Sequence, residues 1–456
     1  MNKVLFCFSP LTLIFLITSG QESKLPNIVL IYADDLGYGD LGCYGADDIH
    51  TPNINNLADK GLKFTDFYSA SPSCSPSRAA LLTGKYPPQT GINEVFFPES
   101  HTGLSSSELT LAELLKGRGY STGIVGKWHL GHFPQYLPLQ HGFDSYFGIP
   151  YSNDMKSVVY MRGNQIESFR VDQSLITKRY TIESKAFIMK NSQSPFFLFI
   201  SHNMPHVPIY ASEDFKGSSQ RGLYGDVIQE LDWSVGEIIA TLEEEGLMDN
   251  TLIMFTSDNG PWLSMYDLGG SAGILREGKQ HTFEGGMRVP MVAMWKGKIK
   301  TGTVTKSVAS QMDILPTIAH IVGEEQKEFW DGKNLAKLLL AGEPPTDQSF
   351  IYFKSRKARA YRNGDWKVKL PFKGYQESDY RRASPAHDTL LFNLKHDMGE
   401  TQNLFSSNKP KAMELINEMN TQVKLMAPFP KHIITTSKAD RSHFDYLKKT
   451  KRNAEK

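Results

Sequence analysis

Four short runs of apolar, β-branched residues, each closing on a cluster of acids, bases or amides, constrain the fold of this chain more than any other feature. Asn27–Ala33 (NIVLIYA) ends in Asp34-Asp35, and residues 122–125 run into Gly126-Lys127-Trp128-His129. Phe196–Ser201 ends in His202-Asn203-Met204-Pro205-His206, and residues 251–256 (TLIMFT) end in Ser257-Asp258-Asn259-Gly260. Continuous apolar runs of this length are expected of strands buried on both faces of a parallel sheet. Between them, residues 109–116 and 227–245 repeat apolar side chains at helical spacing. The resulting α/β alternation implies right-handed crossovers and helices on both sheet faces. Ligands of such sheets bind beyond the carboxyl ends of the strands. The four polar clusters are therefore predicted to converge on one pocket holding Asp34, Asp35, Lys127, His129, His206, Asp258 and Asn259.

At 456 residues the chain is too long for one average domain, and its pattern changes near residue 340. Ser349–Lys354 and residues 358–362 and 366–370 read as short strands joined by turns such as Arg362-Asn363-Gly364-Asp365. Residues 391–394 read as a further strand and 411–426 as a helix over them. The expected organisation is a leader over 1–20, a catalytic α/β domain over 21–340, and an antiparallel-sheet subdomain over 341–456 whose tail, from Lys438, is charged. The leader reading rests on Lys3, an apolar run over 4–17 too short to span a bilayer, and Thr18-Ser19-Gly20 before a cut near Gln21. It predicts export without a stable membrane anchor. Removing it leaves Cys43 and Cys74, hence no disulfide framework, and no Asn-x-Ser/Thr sequon follows it. These features suit a bacterial periplasmic or secreted protein better than a lysosomal glycoprotein. Lys plus Arg at 50 against Asp plus Glu at 49 gives no whole-chain field for nucleic acid or a membrane surface, so any anion site is local.

Asp34, Asp35, Asp258 and Asn259 offer only oxygen ligands, which suits a hard divalent cation and not zinc. Calcium is the expected ion, with Mg2+ left open because ligand identity alone does not separate the two. Gly37-Tyr38-Gly39-Asp40-Leu41-Gly42 satisfies Gly-x-Gly-x-x-Gly after a strand. Two carboxylates precede it and Asp40 lies inside it, where a pyrophosphate would be repelled, so a dinucleotide site is not expected. Its glycines are expected to let the backbone turn tightly around the metal.

The run Cys74-Ser75-Pro76-Ser77-Arg78, continuing to Leu82-Thr83-Gly84-Lys85, places a cysteine four residues before a fixed cation. Pro76 reads as the first residue of a helix capped by Ser75, whose positive end would favour an anion near residue 74. Gly84 reads as the stop. This run resembles the motif of the formylglycine-dependent sulfatase family, of the arylsulfatase A-like type within the alkaline phosphatase-like superfamily; the family more often has arginine where Lys85 stands. The resemblance covers residues 27–404. It implies an alkaline phosphatase-like sandwich with a large, mostly parallel sheet and a smaller C-terminal domain of antiparallel sheet and helix.

It further implies that Cys74 is oxidised to formylglycine (3-oxoalanine) by a formylglycine-generating or anaerobic sulfatase-maturing enzyme, and that Asp34, Asp35, residue 74, Asp258 and Asn259 bind the metal. Lys127 and His129 in Gly126-Lys127-Trp128-His129, His206 in Pro205-His206-Val207-Pro208 and Lys279 resemble the family's catalytic lysines and histidines. Ser152 matches a substrate-side serine, and Glu284-Gly285-Gly286 a segment that positions the Lys279 loop. In the implied reaction a hydroxyl of the hydrated aldehyde attacks sulfur while Arg78, Lys127, Lys279 and the cation hold the sulfate oxygens. His206, with Lys279, protonates the leaving oxygen, and His129 helps expel sulfate. The expected substrate is a sulfated carbohydrate such as an algal galactan, ulvan or a glycosaminoglycan. Two alternatives stand beside this reading: a formylglycine-dependent phosphodiesterase or phosphonate monoester hydrolase, and a sulfated-glycan binding protein whose Cys74 stays a thiol.

Overall fold

A computed structural model describes residues 24–155, 158–376, 383–426 and 428–430. The leader over 1–20 and the tail from Lys438 lie outside the described residues. The strands are β1 Asn27–Ala33, β2 Leu62–Phe64, β3 Phe67–Tyr68, β4 Ser121–Gly126, β5 Ser145–Gly148, β6 Tyr160–Arg162, β7 Gln165–Ser168, β8 Phe196–Ser201, β9 Thr251–Ser257, β10 Met291–Met294, β11 Thr303–Thr305, β12 Ala309–Ser310, β13 Ser349–Lys354, β14 Lys357–Asn363, β15 Trp366–Lys369 and β16 Leu390–Asn393.

The large sheet has ten strands in the order β11-β2-β10-β9-β1-β8-β4-β5-β6-β7. Its centre, β9-β1-β8-β4-β5, is parallel throughout, whereas β10 pairs antiparallel with both its neighbours and β6 and β7 form an antiparallel margin. The four runs picked out in the sequence are thus four adjacent strands, and all seven residues of β1 are buried. Alternate residues serve opposite faces, as strand geometry requires. Ile28, Leu30 and Tyr32 pack with Leu81, Leu115 and Leu315 of helices Cys74–Thr83, Leu111–Gly117 and Ile314–Ile321. Val29, Ile31 and Ala33 pack with Leu57, Tyr180 and Leu231 of helices Pro52–Asp59, Ile176–Lys190 and Gly222–Glu244. The product is a three-layer sandwich, the alkaline phosphatase-like fold expected from the sequence. Among the described residues no helix is long and apolar enough to cross a membrane.

β13 to β16 form a separate antiparallel sheet covered by helix Lys409–Met426, which buries Ala412, Leu415 and Met419. The core of this unit takes in side chains from outside the small sheet, since Tyr68, Ala80, Tyr86 and Met287 pack among its apolar residues.

Candidate active site

The four strand ends bring their polar residues together because the strands are neighbours in register. Asp34 and Asp35 follow β1, Asp258 and Asn259 follow β9, Lys127 and His129 follow β4, and His206 follows β8 after a short loop. All are buried, from 0% exposed at Asp34, Lys127, Asp258 and Asn259 to 3% at His206. Lys279 arrives from a loop after β9 and is 7% exposed.

Cys74 is itself the first residue of helix Cys74–Thr83, with Ser73 in the extended cap position and no side-chain capping bond. This corrects the expected start: Ser75 is inside the helix, and its Oγ accepts from the Phe96 N–H (3.1 Å) instead. Residue 74 therefore lies in the first turn, at the positive end of the helix. Gly84 closes the helix in the left-handed conformation, as expected. Lys85 lies away from the site and pairs with Glu108 (2.7 Å). Cys74 Sγ stands 3.5 Å from Asp34 Oδ1 and 3.4 Å from Lys279 Nζ. Burial pushes its thiol well up despite Lys127 and Lys279, so the side chain is not poised as a thiolate nucleophile.

Three cations face three carboxylates. Arg78 donates from Nε and a terminal nitrogen to Asp258 Oδ2 (3.1 and 2.8 Å) and from the other to Ser201 Oγ (2.6 Å) and the Lys127 carbonyl (3.3 Å). It also lies 3.6 Å from Asp34 Oδ1. Lys127 Nζ pairs with Asp34 Oδ2 and reaches Ser152 Oγ at 3.2 Å. Lys279 Nζ pairs with Asp35 Oδ2 (2.7 Å) over the Trp262 ring. Burial alone would raise Asp34, but Lys127, His206 and Arg78 outweigh it and hold the acid below its usual range. Burial and the neighbouring Asp34 raise Asp258. Burial opposes charge on Lys279, yet Asp35 and the other anions hold its proton more tightly than usual.

The two histidines are kept neutral, His129 by burial and Lys127, His206 by burial and Lys279. The Phe96 carbonyl, which can only accept, lies 2.8 Å from His129 Nε2, so Nε2 carries the proton and the buried Nδ1, which has no partner among the described residues, keeps its lone pair. His206 Nδ1 donates to the Val207 carbonyl (2.6 Å), leaving Nε2 3.7 Å from Asp35 Oδ2. Ser152 Oγ lies 3.4 Å from His206 Nδ1, beside Lys127.

The donor set fits a divalent cation. One ligand atom each from Asp34, Asp35, Cys74 and His206 lie within 4.8 Å of one another. Asp258 Oδ1 accepts from the Asp35 N–H (3.1 Å), and Asn259 Nδ2 donates to Asp35 Oδ1 (2.7 Å), while Asn259 Oδ1 is buried without a partner among the described residues. An orphaned amide oxygen beside three buried carboxylates is what a bound divalent cation would satisfy. His206, which the sequence places as an acid, stands close to these donors, its Nε2 3.7 Å from Asp35 Oδ2.

Several residues that build the site carried no motif. Ser201 holds Arg78, Tyr32 lies under its guanidinium (5.2 Å), and Trp262 underlies Lys279. Asn153 Nδ2 ties the carbonyls of His206 and Pro208 (3.3 and 2.9 Å). Gly37 and Gly39 also differ from expectation: neither has a positive φ. A Cβ at 37 would lie 2.1 Å from the Ser271 carbonyl oxygen, and one at 39 would lie 2.5 Å from Gly273 N, so close packing against that loop demands glycine there. Asp40 anchors the same approach through the N–H groups of Gly37 and Ser271 (2.8 and 2.9 Å) and Arg221 (2.8 Å).

Residues 26–324 match the Sulfatase family model, and residues 277–427 match the N-sulphoglucosamine sulphohydrolase C-terminal model. The chain is 39% identical over 448 residues to arylsulfatase A of Bos taurus, covering 89% of this chain and 88% of that one. It is 42% identical over 374 residues to N-acetylgalactosamine-6-sulfatase of Mus musculus, covering 76% and 72%. Among solved structures, Ps i-CgsB in complex with k-i-k-neocarrahexaose superposes with a TM-score of 0.80 at 29% identity, covering 93% of this chain and 98% of that one.

Proposed function

We propose that this chain, which belongs to the sulfatase family and is a sulfuric ester hydrolase, removes sulfate from a sulfated polysaccharide or oligosaccharide by way of a formylglycine made from Cys74. The observation that carries the reading is the setting of residue 74: at a helix N-terminus, within reach of Lys279 and Asp34, in surroundings that disfavour a thiolate. An aldehyde hydrate at that position would supply the attacking hydroxyl, and a divalent cation, with calcium favoured by the oxygen donors, would lower its pKa and polarise a sulfate oxygen. Because Cys74 is 2% exposed in the folded chain, its oxidation by a formylglycine-generating or anaerobic sulfatase-maturing enzyme belongs before folding is complete.

The chain's own groups then have distinct tasks. Lys127 and Lys279 bind the ester's anionic oxygens, and Arg78 supplies fixed positive charge from beneath while holding Asp258 in place. Ser152, between Lys127 and His206, orients the ester from the substrate side. Binding an anion beside His206 offsets the effect of Lys279 and raises the imidazole's pKa, which fits it to deliver a proton to the leaving oxygen. His129, with its lone pair at Nδ1, accepts the proton when sulfate departs. The asymmetry of the two imidazoles, one anchored through Nε2 and the other through Nδ1, supports opposite roles for them.

A sulfated carbohydrate is favoured because N-acetylgalactosamine-6-sulfatase is among the relatives and an oligosaccharide occupies a structural neighbour. The leader-like residues 1–20 support an exported enzyme, periplasmic or secreted. The test is Cys74→Ser: a serine cannot become an aldehyde that regenerates by expelling sulfate, so turnover is expected to be lost. Undiminished turnover by the serine variant would refute the mechanism.

A further inference from the structure

The loop that carries Lys279 is strained on both sides of it. Glu277 (φ 61°) and Gln280 (φ 72°) both occupy the left-handed region, which residues with side chains adopt where the surroundings impose it. At Gln280 the surroundings can be named. Its N–H donates to the Pro72 carbonyl (2.8 Å), two residues before Cys74, and its own carbonyl accepts from Lys354 Nζ (2.5 Å). Lys354 ends β13 of the small sheet. The same sheet grips the loop further on. Lys369 of β15 donates to Thr282 Oγ1 (2.5 Å), and Lys367, fully buried, bridges Glu284 Oε1 and Glu400 Oε1 (2.8 and 2.9 Å). Glu400 Oε2 accepts the Glu284 N–H (2.6 Å), and the Glu400 carbonyl accepts from Arg276 (3.0 Å) at the start of the loop. Lys279 lies between the two strained residues, 3.4 Å from Cys74 Sγ.

We propose that Lys354 is a positioning residue for catalysis: by holding the Gln280 carbonyl it keeps residue 280 left-handed and so fixes the direction from which Lys279 enters the site. A glutamine released from that bond relaxes toward the ordinary helical or extended regions. The peptide that links residue 280 to Lys279 then turns, and the ammonium moves off Asp35 and away from residue 74. The C-terminal sheet thereby acts on the reaction without touching the substrate. The activity arm of the test rests on the sulfatase reading; the backbone arm does not.

Lys354→Met keeps the stem length and removes the donor. The expected result is a fall in kcat/KM toward a small sulfate ester of about tenfold to a hundredfold, the range a sub-ångström to ångström misplacement produces. Amide exchange across residues 276–284 should quicken, with an unchanged melting temperature. Lys354→Arg, which retains a donor, should keep near-normal activity. In Lys354→Met/Gln280→Gly most of the lost activity should return, because glycine takes a positive φ without steric cost. Normal kcat/KM and normal exchange in Lys354→Met would overturn the proposal. So would a loss that tracks a lower melting temperature and is not relieved by glycine at 280. If the wild-type protein, with its aldehyde verified, hydrolyses no sulfate ester, the sulfatase reading fails, and unaltered exchange across 276–284 in Lys354→Met then overturns this proposal separately.

Discussion

Replacing Arg78 by methionine isolates the electrostatic role of the buried guanidinium, because the side chains have similar length and the change leaves little cavity. In the native chain Asp34, Asp35 and Asp258 face Arg78, Lys127 and Lys279, a balance of three against three, with every member 7% exposed or less. Arg78 makes two charge-assisted bonds to Asp258 and one each to Ser201 and the Lys127 carbonyl. Its loss leaves one buried carboxylate uncompensated, and breaking a buried pair in this way costs about 3–5 kcal/mol. Asp258, already raised by burial and Asp34, relieves part of the penalty by taking up a proton, which places the expected loss toward the lower figure. The assay is urea unfolding at pH 7 in the presence of a chelator, comparing midpoints at constant m. Saturating Ca2+ should recover part of the loss, since a divalent cation compensates the same carboxylates. A loss below about 1 kcal/mol in chelator, within the range of an exposed ion pair, would refute the claim that Arg78 is the counter-ion of this buried cluster.

Chelation of the wild-type protein should lower its unfolding free energy, and Ca2+ at a hundredfold excess over its dissociation constant should restore about 2.7 kcal/mol; no difference between the two conditions would argue against a resident cation. His141 is buried against Trp128 at a ring distance of 5.7 Å, neither ring nitrogen has a partner among the described residues, and burial pushes it down to about 4. Between its unfolded pKa near 6.5 and that value the unfolded chain binds a proton that the folded chain does not, so stability falls as pH drops through this window, by up to about 1.4 kcal/mol per pH unit from this group. His141→Phe should flatten the pH dependence of urea midpoints between pH 6.5 and 4 by that amount, and an unchanged slope would count against the assignment.

The site was legible to the extent that it was built from strand ends. Asp34, Lys127 and Asp258 stand immediately after apolar runs, and a parallel sheet leaves few other places for those side chains to go. Arg78 and Cys74 were legible through their spacing on one helix. What could not be read was the choice of partners across the fold. Ser201 is simply the last residue of a buried strand, and its bond to Arg78 depends on β8 lying beside β4. Trp262 reads as loop, although its ring lies under Lys279. The glycines at 37 and 39 announced a tight backbone, but the reason is contact with residues 271–273, which are more than 230 positions away. The helix starts two residues before the expected Pro76, with Ser73 and not Ser75 at the cap position, because a serine stands at both places and only the backbone geometry distinguishes between them. Nothing in the short strands that carry Lys354, Lys367 and Lys369 marks these lysines as inward-facing; they are drawn inward by Gln280, Glu284 and Thr282.

The most direct test is a paired measurement on one preparation: the mass of the peptide containing residue 74, and the inorganic sulfate released by the same protein from a panel of sulfated algal and animal oligosaccharides. The account predicts an aldehyde at residue 74, sulfate release from at least one member, and loss of that release in Cys74→Ser. Sulfate release by protein in which residue 74 remains a thiol, or an aldehyde-bearing protein that releases no sulfate while cleaving phosphodiesters, would contradict it.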